Sequence, residues 1–348
     1  MVVQRIWNFV SRHRKKLIFT GIVAGGVYYY VKVKLPKIQA DLFDSLLKEL
    51  TEGASASNGQ VEEQQRRVSF QKHQEVSDSY ARKGLQNFLV RLQGCFKIDQ
   101  CQAKVKAASD REQKLAALKE LQVECLSMVA SAAYSLYVIL LLHRVQFNIA
   151  GREAISSKTG EIAQDGAESA AMQELIASTD YFLEKGAAMI VTATRSAVQA
   201  ASLQPDAPVS TESLTSFFKE VFEKLEKEIW ADGKGSALLP PDANSASQAK
   251  PLLDEARDYL ESPQLLQALR SVTSAAAERL PFDLGKATNK AEALKEGTVP
   301  LAALFGGCIS LAKEVLQDST CTEAFIQAFA DQTVISQFCE ALYFQETK

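Results

Sequence analysis

Histidine is scarce. The 348-residue chain has three: His13 in a basic head, His73 alone, and His143 at the end of an apolar run, so no acid–base pair can be assembled from them. Six cysteines include no CxxC pair, which with so few histidines speaks against a zinc site. Cys125 sits inside an apolar helical run and Cys339 follows Phe338, the setting of small buried hydrophobes in a reducing compartment. The absence of any Asn-x-Ser/Thr sequon favours a body kept out of the secretory lumen. Walker, GxSxG, HExxH and Rossmann glycine patterns are missing, and the "GKG" at 233–235 lies in a proline-rich loop unsuited to cradling phosphate. Carboxylates fall on polar helix faces, where solvation is the default reading. These absences lead us to expect a chain that is not an enzyme, with no cofactor, no metal and no small-molecule substrate.

Acid is missing from the first 40 residues, which carry eight Lys or Arg. The remaining 308 residues hold 31 bases against 42 acids, a balance of −11, and a body so acidic makes nucleic acid an improbable partner. Charge is also missing from Leu17 to Val31, 15 residues that as a helix would span about 22 Å of a hydrocarbon core about 30 Å thick. Lys16 and Lys32 can snorkel, Tyr28, Tyr29 and Tyr30 suit one interface, and Trp7 and Phe9 the other. Leu17, Ile18, Phe19, Ile22, Val23, Val27 and Val31 favour insertion, though marginally. A cleaved secretory signal lacks its small-x-small site here, and a mitochondrial presequence would be less apolar, so an uncleaved anchor is the favoured reading. Positive charge flanks both sides and leaves the orientation open.

Strand alternation is nearly absent from the body. Apolar residues instead recur at three and four spacing over 75–95, 112–149, 171–202, 211–230, 251–280 and 298–344, which predicts helices. A polar stretch at 51–67 reads as linker or loop, and breaks are expected at 151–166, 203–211 and 231–247, with Ser210 and Thr211 able to cap the next helix. No repeat of fixed period is visible. Residues 125–142 are 18 uncharged residues, long enough for a second membrane pass. Ser127, Ser131 and Ser135 line one face for close helix approach, and the run continues into its flanks as one helix of about 35 residues, about 50 Å, so the buried central helix of a bundle is the favoured reading. The expected fold is all-α: a basic segment (1–16), a single anchor helix (17–33), a juxtamembrane helix and linker (34–66), and a large helical bundle with a long central helix (67–348).

The head "RIWNFVSRHRKKLIFTGIVAGGVYY" resembles the N-terminus of the third-peroxin family of peroxisomal membrane-biogenesis docking factors. "RRVSFQKHQ" (66–74), "LLHRVQFNIAG" (141–151), "FLEKGAAMIVTATRSAVQ" (182–199) and "EARDYLESP" (255–263) agree in the same order, so the resemblance covers nearly the whole chain. It implies a peroxisomal membrane protein whose body faces the cytosol and captures an amphipathic helix of the nineteenth peroxin, the soluble chaperone of peroxisomal membrane proteins. Its two partners would be that helix and, through the N-terminal segment, the lipid bilayer. Arg12, Arg14, Lys15 and Lys16 with Leu17, Ile18, Phe19, Ile22, Val23, Val27, Tyr28 and Tyr29 would then be targeting signal and anchor together. Counting back without gaps from "RVQFNI" puts the family's groove-lining segment on "KLAALKEL", with Lys114 at the rim of a face formed by Leu115, Leu118 and Leu121. Better-known members carry a tryptophan where this chain has Leu118. Two other classes stay in view: a signal-anchored tether or structural protein of the mitochondrial outer membrane or endoplasmic reticulum, and a two-pass channel using residues 125–142.

Overall fold

The expected central run is the longest element of the structure, a computed structural model that describes residues 59–159, 166–201, 203–241, 249–317 and 319–345. Helices α1 (Gly59–Gly94) and α2 (Ile98–Ala107) lead into α3 (Arg111–Thr159), 49 residues and about 73 Å long. Every residue from Cys125 to Ala150 is buried, so the run that is long and apolar enough to cross a membrane is the core of a helical bundle. A second pass through this segment is thereby set aside. Ser127, Ser131 and Ser135 are all fully buried, as a stripe for close helix approach requires.

α3 exceeds the expected 35 residues at both ends. At its start the Asp110 carboxylate accepts from the Gln113 N–H at 2.8 Å, and the Gln113 side chain accepts from the Ser109 N–H at 3.3 Å, a pair of caps that fixes the first turn. At the far end Gly151 does not break the helix. A Cβ there would lie 2.7 Å from His73 Nε2 and 2.8 Å from Tyr343 Cε2, so this glycine marks close packing rather than a turn.

Two units divide the chain, Met1–Arg67 and Val68–Lys348. In the first, the described residues are the opening turns of α1, where Glu63 and Arg67 pair at 3.0 Å across one turn. The stretch expected as linker is therefore helical from Gly59 onward, because Glu, Gln and Arg are good helix formers. The expected anchor, juxtamembrane and targeting residues before position 59 lie outside the described residues.

The second unit wraps helices around α3. Following it are α4 (Gly166–Ala177), α5 (Thr179–Ala200), α6 (Thr211–Trp230), α7 (Lys250–Leu260), α8 (Pro263–Ala287), α9 (Ala291–Glu296), α10 (Phe305–Leu316), α11 (Thr320–Ala330) and α12 (Thr333–Tyr343). α10, α5, α2 and α12 all pack against α3. The one strand pair among the described residues is two residues a side, Pro208 opposite Pro300 and Val209 opposite Val299. The expected cap is present before α6: the Ser210 and Ser213 hydroxyls each accept from the other's backbone N–H. The apolar pattern at 251–280 hides a break. Ser262 caps α8 by accepting from the Leu265 N–H at 3.2 Å and Pro263 takes the first helical position, so one expected helix is two. Ser319 caps α11 in the same way.

Candidate docking site

Residues 111–116 at the start of α3 are exposed and Ala117 is buried, and the expected docking residues straddle this change. Lys114 is exposed, Leu115 is 37% exposed, Leu118 is half-buried and Leu121 is only 7% exposed. The three leucines do not form one open face. The row passes from solvent into the core as the helix enters the bundle, and Leu121 belongs to the packed interior. The correction has a simple cause: at 100° per residue, three-residue steps drift back by 60° each, and one step beyond Leu118 reaches the buried side. What remains accessible is a short apolar strip of Leu115 and Leu118, with half-buried Val105 on neighbouring α2 packed against the same core. Gln122 fixes the foot of this region by donating to the Leu203 carbonyl at 2.9 Å.

The surroundings are basic although the body is acidic. Residues 97–119 hold six Lys or Arg (Lys97, Lys104, Lys106, Arg111, Lys114, Lys119) and three acids (Asp99, Asp110, Glu112). The next acids along α3 are engaged: Lys104 Nζ donates to Glu120 at 2.5 Å, and Arg195 clamps Glu124 with two bonds of 2.8 Å. The bond to Glu120 raises the Lys104 pKa and keeps it charged. Burial, and then the nearby carboxylates of Glu124 and Glu120, push the Cys101 thiol up, so it stays protonated. Among the described residues no cluster of three or more His, Cys, Asp or Glu could hold a metal ion. The cysteines are all free.

A second polar cluster went unread in the sequence, and it explains "RVQFNI". Arg144 donates to both Asp78 oxygens, at 3.0 and 2.7 Å, and to Gln74, while Gln74 donates to Asn148 at 2.6 Å and Asn148 to the Arg144 carbonyl at 2.7 Å. On another face Gln146 donates to Ser178 at 2.9 Å and accepts from Thr179 at 2.5 Å. Arg152 binds Glu255 of α7 at 2.6 Å. Burial outweighs Arg144 in its effect on Asp78 and raises that carboxyl. Gln74 and Asp78 of α1 and Glu255 of α7 are thus tied to Arg144, Asn148 and Arg152, far along α3 from the apolar strip. Their signal was in plain view: Arg, Gln and Asn inside an otherwise apolar run imply buried, mutually satisfied polar groups.

No protein-family model matches the chain. Individual relatives do match. The chain is 26% identical over 300 residues to peroxisomal biogenesis factor 3 of Bos taurus, covering 79% of this chain and 77% of that protein. The Homo sapiens protein of that name is 26% identical over 305 residues (80% and 78%), and the Rattus norvegicus one 25% over 304 residues (80% and 78%). The chain is thus similar to peroxisomal biogenesis factor 3 along most of both chains, and its all-helical body carries the resembling segments in order.

Proposed function

We propose that this chain is a peroxisome biogenesis factor of the peroxisomal membrane, held there by its N-terminal helix with its body in the cytosol. Its work is to receive the nineteenth peroxin, the chaperone that delivers new membrane proteins, by laying that partner's amphipathic helix against the strip of Leu115 and Leu118. The similarity to peroxisomal biogenesis factor 3 of Bos taurus and Homo sapiens supports the biogenesis role. One observation carries the docking role: Leu115 and Leu118 lie open or half-open near the start of a helix that is buried throughout from Cys125 to Ala150. Apolar side chains exposed beside a buried core are an expense that helix-in-groove recognition explains, with Lys114 steering register from the rim. Leu118 offers less area than an indole, so binding is shared with neighbours such as Leu115 and Val105.

Anisotropy of a labelled peptide of the chaperone's N-terminal helix, titrated with the full-length chain in detergent micelles, tests this reading. Leu118→Asp should weaken binding by about 100-fold, the scale of a hot-spot loss. Wild-type affinity in that variant refutes the docking role. Residues 1–45 fused to a fluorescent protein should mark peroxisomes, and labelling of mitochondria alone refutes the location. A body protected from protease in intact organelles refutes the orientation.

A further inference from the structure

Beside the apolar strip lies a cleft of about 450 Å³ bounded by α2, α3 and the end of α5, and its charge is positive. We propose that it takes an acidic segment of the docked partner, continuous in sequence with the amphipathic helix. This inference rests on the docking reading above and adds a second point of recognition to it.

Four cationic side chains reach the cleft, Lys97, Lys104, Lys119 and Arg195, against two acids, Glu120 and Glu124. Both acids are already satisfied: Glu120 by Lys104, and Glu124 by Arg195 and by the Lys97 backbone N–H at 2.8 Å. That leaves the ammonium groups of Lys97 and Lys119 without an ion-pair partner among the described residues, facing a space large enough for several side chains. Within a body whose balance is −11, two unengaged cations in one concavity are a recognition feature for carboxylates. Continuity with the strip follows from helix geometry. Leu115, Lys119 and Val123 succeed one another at four-residue steps on α3, so the strip runs into the cleft along one row. A partner helix lying on Leu115 and Leu118 would carry its flanking residues to Lys119 without a change of direction.

The test uses full-length chain in detergent micelles and three labelled peptides: the amphipathic helix alone, the helix with a short Asp/Glu extension at either end, and the helix with a Ser/Gln extension. An acidic extension at one end should tighten binding about fivefold at low salt and lose that gain at high salt, while the neutral extension adds nothing. Lys97→Gln with Lys119→Gln should erase the gain and leave affinity for the helix alone within about twofold. Equal affinities of the acidic and neutral peptides, or a gain that survives in the double variant, overturn the proposal. Failure of the unextended helix to bind instead defeats the docking reading itself, so the two failures are told apart by that peptide.

Discussion

Within the single helix α3, residues 111–116 and residues 125–150 live in opposite environments. In the long buried stretch the informative residues are the polar ones, because an Arg, Gln or Asn survives there only with its partners supplied. In the exposed overhang the residues that matter are the neighbouring apolar ones, Leu115 at 37% exposed and half-buried Leu118, which together form a short strip. One rigid rod thus carries the scaffold at one end and the candidate site at the other. Its buried half holds the overhang in place, so damage to the scaffold should lower stability, while under the proposed docking role damage at Leu115 should act on binding.

The sharpest way to break this division is at Arg144. Its side chain is 7% exposed and Asp78, its partner, 14%, so Arg144→Ala leaves a buried carboxylate uncompensated. The expected cost is about 3–5 kcal/mol, read as a shift of the denaturant midpoint. A loss below about 1 kcal/mol would mean that the network is dispensable. His143 supplies the next effect. It is buried beside the Tyr80 and Phe147 rings, neither ring nitrogen has a hydrogen-bond partner among the described residues, and burial lowers its pKa from 6.5 to about 4. The unfolded chain binds the proton more readily, so this contribution to stability is full above pH 6.5 and is lost as pH falls toward 4. Between pH 7 and 5 the loss from this group is about 2 kcal/mol, and His143→Leu should flatten the melting profile over that interval. Parallel profiles for the two proteins would assign the acid sensitivity elsewhere.

Spacing and composition were enough to read the all-helical class, the buried central helix and the cap at Ser210, since three-four periodicity and hydroxyl caps are local signals. Helix ends were harder. Gly151 looked like a breaker because its reason, the nearness of His73 and Tyr343, is tertiary, and the apolar pattern at 251–280 ran through Ser262–Pro263 because periodicity alone cannot see a short interruption. At the candidate site the position on α3 was legible, but the burial of Leu121 was not: where a helix enters a bundle depends on its neighbours. The basic cleft was invisible for the same reason, since Lys119 and Arg195 come from α3 and α5 and Lys97 from the turn before α2.

The smallest expected effect on stability makes the finest distinction along α3. Leu115 is 37% exposed, and Leu115→Asp removes apolar surface that the fold hardly uses, so the melting temperature should stay within the shift that about 0.5 kcal/mol produces. Leu121→Asp, six residues further on, puts a charge into the core and should destabilise by several kcal/mol. If both residues were groove, each variant would lose partner binding with its stability intact. If both were core, each would unfold the protein. The burial gradient predicts a split: Leu115→Asp loses affinity for the amphipathic helix at nearly unchanged stability, while Leu121→Asp loses the fold. The boundary between scaffold and docking strip then falls at Leu118, whose half-buried side chain belongs to both.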